Sequence, residues 1–197
     1  MNPQSRPILF NTEMVKAILS GKKTVTRRII KPQPKGTPYP MTMSSSWPHY
    51  FGQTGYDALL RPPYWTGDIL WVRETWTTVP DGAYVYRASV ECPDAWKGTW
   101  KPSIHMPKDA ARLFLRVTGV WAERLQDINL DPPGPENQVV REGARYLCDF
   151  IAVWDRTIKP VDRQTYGWDA NPWVWVIEFE RIGKDEALGG GGDDCTD

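Results

Sequence analysis

The sequence predicts an α+β protein: a small, mixed β-barrel of five or six strands with two to three flanking helices. Three observations carry that expectation. Segments rich in β-branched or alternating apolar residues recur along the chain, two or three stretches carry apolar residues at helical spacing, and the two kinds never alternate regularly as in a doubly wound sheet. At 197 residues the chain suits one domain. We expect that domain over residues 1–183, with a Pro- and aromatic-rich insertion at about 31–66 and an acidic, Gly-rich, disordered tail over 184–197. No internal repeat is visible.

Arg6 to Phe10 reads as a strand. Thr12 is placed to cap a helix with Glu13 in its first turn and Met14, Val15, Ile18 and Leu19 on one face, and Ser20-Gly21 ends it. Lys23 to Ile30, with Thr24, Val25, Thr26, Ile29 and Ile30, is a second strand. Lys31 to Thr66 is dense in Pro, Gly, Ser and Tyr without a period of 2 or 3.6, so it predicts an irregular excursion. Trp47, Tyr50, Phe51, Tyr56 and Tyr64 give it too much aromatic surface for a linker, which predicts a packed flap.

Gly67-Asp68 turns into the strand Ile69 to Trp76, and Ala83 to Arg87 pairs with it across Pro80-Asp81-Gly82. Arg112 to Glu123 alternates with Leu113, Leu115 and Val117 inward. Helices follow at roughly Glu136 to Arg145 and at Leu147 to Thr157, where Phe150, Ile151 and Trp154 share a face. Asn171-Pro172 introduces the closing strand Trp173 to Arg181.

Hydrophobic residues at 41% and charged residues at 24% exclude a disordered or collagen-like chain. No stretch reaches the ~18 apolar residues of a spanning helix, and Met1 to Phe10 lacks the order of a signal peptide, so we expect no membrane partner and a cytoplasmic location. Cys92, Cys148 and Cys195 are odd in number and widely spaced, which argues against disulfides and zinc. With only His49 and His105 besides, neither a metal nor another cofactor is expected.

Positive and negative charges balance overall, at 24 each. They are unevenly placed: seven basic residues and no acid lie between Lys16 and Lys35, while five acids lie beyond Lys184. A cationic stretch of this density suits an anionic ligand. Gly21-Lys22-Lys23-Thr24 is not a phosphate loop, because Lys16 stands where the first Gly belongs. Neither G-x-G-x-x-G nor G-x-S-x-G supports dinucleotide or hydrolase-fold chemistry.

Gly21-Lys22-Lys23-Thr24-Val25-Thr26-Arg27-Arg28 joins a helix end and a Gly to Lys-Thr-x-Thr-x-Arg on a strand. With Gly67-Asp68-Ile69-Leu70-Trp71-Val72, Arg141-Glu142-Gly143 and Val176-Ile177-Glu178-Phe179, it resembles the ASCH family of PUA-like β-barrels associated with RNA. The fuller pattern is similar to the longer ASCH-like proteins common in phages and prophages, and it spans about Arg6 to Ile182.

The resemblance implies binding of RNA or a modified pyrimidine nucleoside in a basic cleft. Some small members cleave N4-acetylcytidine, and by motif position their Lys, Thr and Glu correspond to Lys23, Thr26 and Glu142. That chemistry is coherent: a Thr hydroxyl needs a base, and a desolvated Lys beside other cations has a lowered pKa. Lys23 and Thr26 face opposite sides of a regular strand, so they converge only if Lys23 lies in the Gly21 turn or a bulge intervenes. Binding residues are expected among Lys22, Thr24, Arg27, Arg28 and Arg73, with Trp47 and Trp65 as stacking platforms. The competing expectations are a ribonuclease, which lacks a His pair, and an accessory protein whose aromatic insertion binds a phage or host protein.

Overall fold

The computed structural model describes residues 4–41, 50–128, 130, 134 and 136–189. In chain order the elements are β1 (Ser5–Leu9), α1 (Thr12–Leu19), β2 (Val25–Ile29), β3 (Pro38–Met41), β4 (Tyr50–Gln53), β5 (Tyr56–Leu60), β6 (Ile69–Arg73), β7 (Trp76–Thr78) and β8 (Tyr84–Tyr86). They continue with β9 (Phe114–Arg124), α2 (Gln138–Arg141), α3 (Leu147–Thr157), α4 (Arg163–Tyr166), β10 (Trp173–Ile182) and α5 (Lys184–Ala187). The architecture is mixed α+β, built on a five-stranded sheet in the order β1-β6-β9-β10-β2. Only β1 and β6 run parallel. No pairing closes β1 onto β2 among the described residues.

β10 is the strand on which the site depends. It pairs with β9 along its whole length and with β2 from Val174↔Ile29 to Glu178↔Val25. Its alternation sorts two cores: Trp175, Ile177 and Phe179 pack on one face with Ile8, Leu115 and the α1 residues Val15 and Ile18, while Val174 and Val176 pack on the other with Val25 and the α3 residues Phe150 and Trp154. Each such fully buried side chain contributes about 1.5–3 kcal/mol. The Phe179 N–H donates to Thr24 O at 2.9 Å, one step beyond the Glu178↔Val25 pair, which ties the entry of β2 to the sheet.

Several expected elements differ in position. The cap of α1 is Asn11, not Thr12: its side chain accepts from Met14 N at 2.8 Å, and Thr12 is the first helical residue. Lys31 to Thr66 is not irregular throughout, since β3, β4 and β5 form a three-stranded antiparallel sheet. Pro38, Pro40 and Gly52 hide its alternation in the sequence. The sheet is packed against the main body by Phe51, 5% exposed, whose ring meets Trp175 edge-on at 4.8 Å.

The Ile69–Trp76 strand is broken in two, because Glu74 turns inward to the Arg112 guanidinium, at 2.8 and 2.9 Å from its Nε and Nη2, and β8 pairs with β7 only. The helix expected over Glu136 to Arg145 is the single turn α2. Lys184–Ala187, assigned above to the tail, is helical, with Glu186 bonded to Arg116; residues 190–197 lie outside the described residues. No helix among the described residues is long and apolar enough to cross a membrane.

Candidate functional site

The turn after α1 decides where Lys23 goes. Gly21 adopts φ 73°, and the N–H groups of Lys22 and Lys23 both donate to Ala17 O, at 2.9 and 3.0 Å. The chain is thereby wound under the helix end, so Lys23 precedes β2 and points into the protein. It is among the most deeply buried side chains, 2% exposed. Thr24 N–H then donates to Arg141 O at 2.9 Å, which brings α2 and the residue after it, Glu142, beside the turn.

Four charged side chains meet there. Lys23 Nζ donates to Val25 O, Glu142 O and Glu142 Oε2, each at 2.7 Å. Arg27, also buried, donates from Nη1 to Glu142 Oε1 at 3.1 Å, from Nε and Nη2 to Glu123 Oε1 at 2.9 and 2.6 Å, and from Nη2 to Gln138 Oε1. Two cations therefore face two carboxylates, which compensates the cost of burying them. Burial pulls the Lys23 ammonium below the ordinary lysine range, and the attraction of Glu142 opposes it. All three ammonium hydrogens are already engaged, so Lys23 positions Glu142 and holds the turn shut.

Glu142 and Thr26 line one cavity of about 270 Å³, together with Arg27, Arg28 and the apolar wall of Phe150, Val153 and Trp154 from α3. Thr26 Oγ1 accepts from Arg28 Nη1 at 2.9 Å. Glu142 is bonded on both oxygens, yet a carboxylate has about four lone-pair positions, so each oxygen can accept once more. The cavity thus offers a carboxylate acceptor, a hydroxyl, a guanidinium and an aromatic wall within one enclosure.

The other expected site residues are scattered. Lys22 and Thr24 line a different cavity of about 550 Å³, beside the Arg141–Glu178 ion pair, because both lie in the Gly21 turn ahead of β2 and so do not follow the alternation that would align them with Thr26. Arg73 lies against the Trp71 ring at 5.6 Å, and neither it nor Trp65 lines the cavity of Thr26 and Glu142. Trp47 lies outside the described residues.

Glu123 and Gln138 are partners of Arg27 that the sequence reading missed. The signal for Glu123 is available: Val25, Arg27 and Ile29 share one face of β2, and Trp121, Glu123 and Leu125 succeed one another at period 2. Opposite charges at inward positions of two strands call for each other.

Among the described residues no group of three or more His, Cys, Asp or Glu is placed to hold a metal ion. Comparison with family models, with curated proteins and with solved structures finds no match to this chain.

Proposed function

We propose that the chain is an ASCH-like protein, its sheet a member of the PUA-like barrel class, and that the cavity of Thr26 and Glu142 binds one pyrimidine base, free as a nucleoside or exposed on an RNA strand. The observation that carries this reading is the convergence of Thr26, Arg28 and Glu142 on one cavity walled by Trp154. Its volume of about 270 Å³ lies at the small end of ligand sites. That suits a single base and not a duplex. A cytosine edge presents an amino donor, which the remaining lone pairs of Glu142 match, and acceptors, which Thr26 or Arg28 matches. An indole wall adds stacking worth about 1–3 kcal/mol per base.

Isothermal titration with cytidine and N4-acetylcytidine tests it. Saturable binding is expected, together with a loss of about tenfold or more in Thr26→Ala or Glu142→Gln samples shown to be folded by circular dichroism. Absence of binding to the intact chain would falsify the reading.

One contact favours a second reading, hydrolysis of an N4-acyl amide. A guanidinium N–H at 2.9 Å on Thr26 Oγ1 stabilises the developing alkoxide. Attack by Oγ1 on the acyl carbon breaks the C–N4 bond, the amine leaves with the proton, and water releases the acid from the acyl-Thr. Lys23 does not line this cavity, so in this route the hydroxyl proton passes to Glu142, whose oxygens keep free lone pairs there, and from it to the leaving amine. Cytidine released from N4-acetylcytidine by the protein and not by Thr26→Ala would support this route, whereas equal release by both would remove Thr26 as nucleophile.

A further inference from the structure

The cavity of Thr26 and Glu142 adjoins a second one of about 570 Å³, and the two share Asn11, Met14, Arg27, Arg28, Trp154 and Thr157. Two of these shared residues are charged, and their situations differ. Arg27 is neutralised by Glu123 and Glu142. Arg28 is half-buried and bonds only neutral oxygens: Thr26 Oγ1 at 2.9 Å, Arg27 O at 3.1 Å and Leu9 O at 3.2 Å. Among the described residues no carboxylate stands within ion-pair distance of it. Three acceptors occupy at most three of its five N–H donors, so at least two remain for something else.

A half-buried guanidinium with no carboxylate at ion-pair distance, and only the more distant field of Glu142, leaves room for a ligand anion to offset its burial. The rim adds to the same field. Arg145 and Arg156 line the smaller cavity, are exposed, and stand in no ion pair among the described residues. Of the acids on that rim, Glu13 is paired with Lys16 at 3.3 Å, and Asp149, which accepts from the Tyr146 N–H at 3.1 Å, stands in no ion pair among the described residues, one such acid against the two arginines. The strongest unmet charge on the shared wall is therefore positive, and it has the planar fork that fits a phosphate.

We propose that the cleft takes a phosphorylated pyrimidine: the base enters the smaller cavity, the phosphate seats on Arg28 at the saddle, and the larger cavity receives what the phosphate is joined to. This rests on the base-binding reading above. It adds that the free nucleoside is the poorer ligand. The phosphate is that of a free nucleotide or of a strand, and both present the same oxygens to Arg28.

The test is titration of the intact chain with cytidine, cytidine 5′-phosphate, cytidine 3′-phosphate and the dinucleotide CpC, at low and at near-physiological salt. At least one phosphorylated form is expected to bind about tenfold or more tighter than cytidine, with the advantage shrinking as salt rises. Preference for CpC points to a strand, and preference for a monophosphate to a free nucleotide. The ratio of phosphorylated to unphosphorylated affinity is expected to fall to near one in Arg28→Gln and to recover in part in Arg28→Lys. Equal affinity for all four ligands overturns the phosphate site and leaves the base reading standing; binding of none overturns both. A ratio that persists in folded Arg28→Gln overturns the assignment to Arg28, and if that variant does not fold, the comparison and salt response of the intact chain decide.

Discussion

The Lys23 ammonium and the Glu142 carboxylate, 119 residues apart in the chain, lie 2.7 Å from each other with side chains 0% and 5% exposed. That bond closes the turn after α1 onto the residue following α2, and it presents the remaining lone pairs of Glu142 to the cavity.

Removing the carboxylate leaves Lys23 and Arg27 buried with one counter-charge between them, that of Glu123. Glu142→Gln is expected to lower the unfolding free energy by about 3–5 kcal/mol, read from urea denaturation. A loss below about 1 kcal/mol would show that the pair is not desolvated as described.

The lowered pKa of Lys23 fixes the sign of a pH dependence. In the unfolded chain Lys23 holds its proton up to the ordinary value of 10.5, while burial makes the folded chain release it earlier. Between the two values the unfolded state binds more protons, so stability rises with pH. The contribution is complete above 10.5 and is lost as pH falls through the lowered folded value. Relative to Lys23→Met, the protein is expected to gain unfolding free energy as pH rises toward 10.5. A difference that narrows over that range would mean that the attraction of Glu142 outweighs burial.

Gly143 has φ 88°, and a Cβ there would lie 2.9 Å from Ala17 Cβ and 3.5 Å from Lys23 Cβ. The left-handed conformation alone costs a side chain about 1–2 kcal/mol, and the contact with α1 adds to it. Gly143→Ala is expected to lower the melting temperature and to weaken cytidine binding together, because the turn that carries Glu142 must shift. Unchanged binding would separate the turn from the site.

Phe51 holds the β3–β5 sheet against Trp175. Phe51→Ala is expected to cost about 3–5 kcal/mol and to hasten proteolytic cleavage within residues 38–60 in native buffer. Cleavage at the unaltered rate would mean that other contacts hold this sheet.

Met14 is half-buried on α1 and lines both cavities. Met14→Trp is expected to fill the shared space and abolish binding of cytidine and its phosphates with little change in melting temperature. Retained affinity for all of them would place the ligand elsewhere.

What the sequence reveals follows from how local each cause is. The bounds of Leu147–Thr157 are legible because Phe150, Ile151 and Trp154 recur at helical spacing within one segment. The position of Lys23 is not legible in the sequence, since a Gly and the backbone bonds of Gly21, Lys22, Lys23 and Thr24 to α1 and α2 decide it, and only the Gly is visible in one dimension. The β3–β5 sheet is hidden in the sequence because Gly52 is where the Tyr39 ring packs across the strands, so an apparent turn residue is a packing residue. The separation of Lys22 and Thr24 from Thr26 runs against strict alternation, which would put all three on one face; it arises because both residues precede β2, in the turn that Gly21 sets. Grouping them as one strand assumes that the strand begins at Lys23, and where a turn ends and a strand begins is not marked in the sequence.

The pairing of β2 with β10 has a consequence in time. On the ribosome, the strand bearing Thr26 and Arg28 emerges more than a hundred residues ahead of β10, its only neighbour in the sheet among the described residues. Arg27 in turn waits 96 residues for Glu123 and 115 for Glu142, and its charge remains hydrated in the meantime. Such high contact order makes docking of this strand a late event in folding. The cleft is then a sign that synthesis has passed β10: a nascent chain stalled short of Trp173 would display β2 as an open strand edge where the folded protein has a pocket.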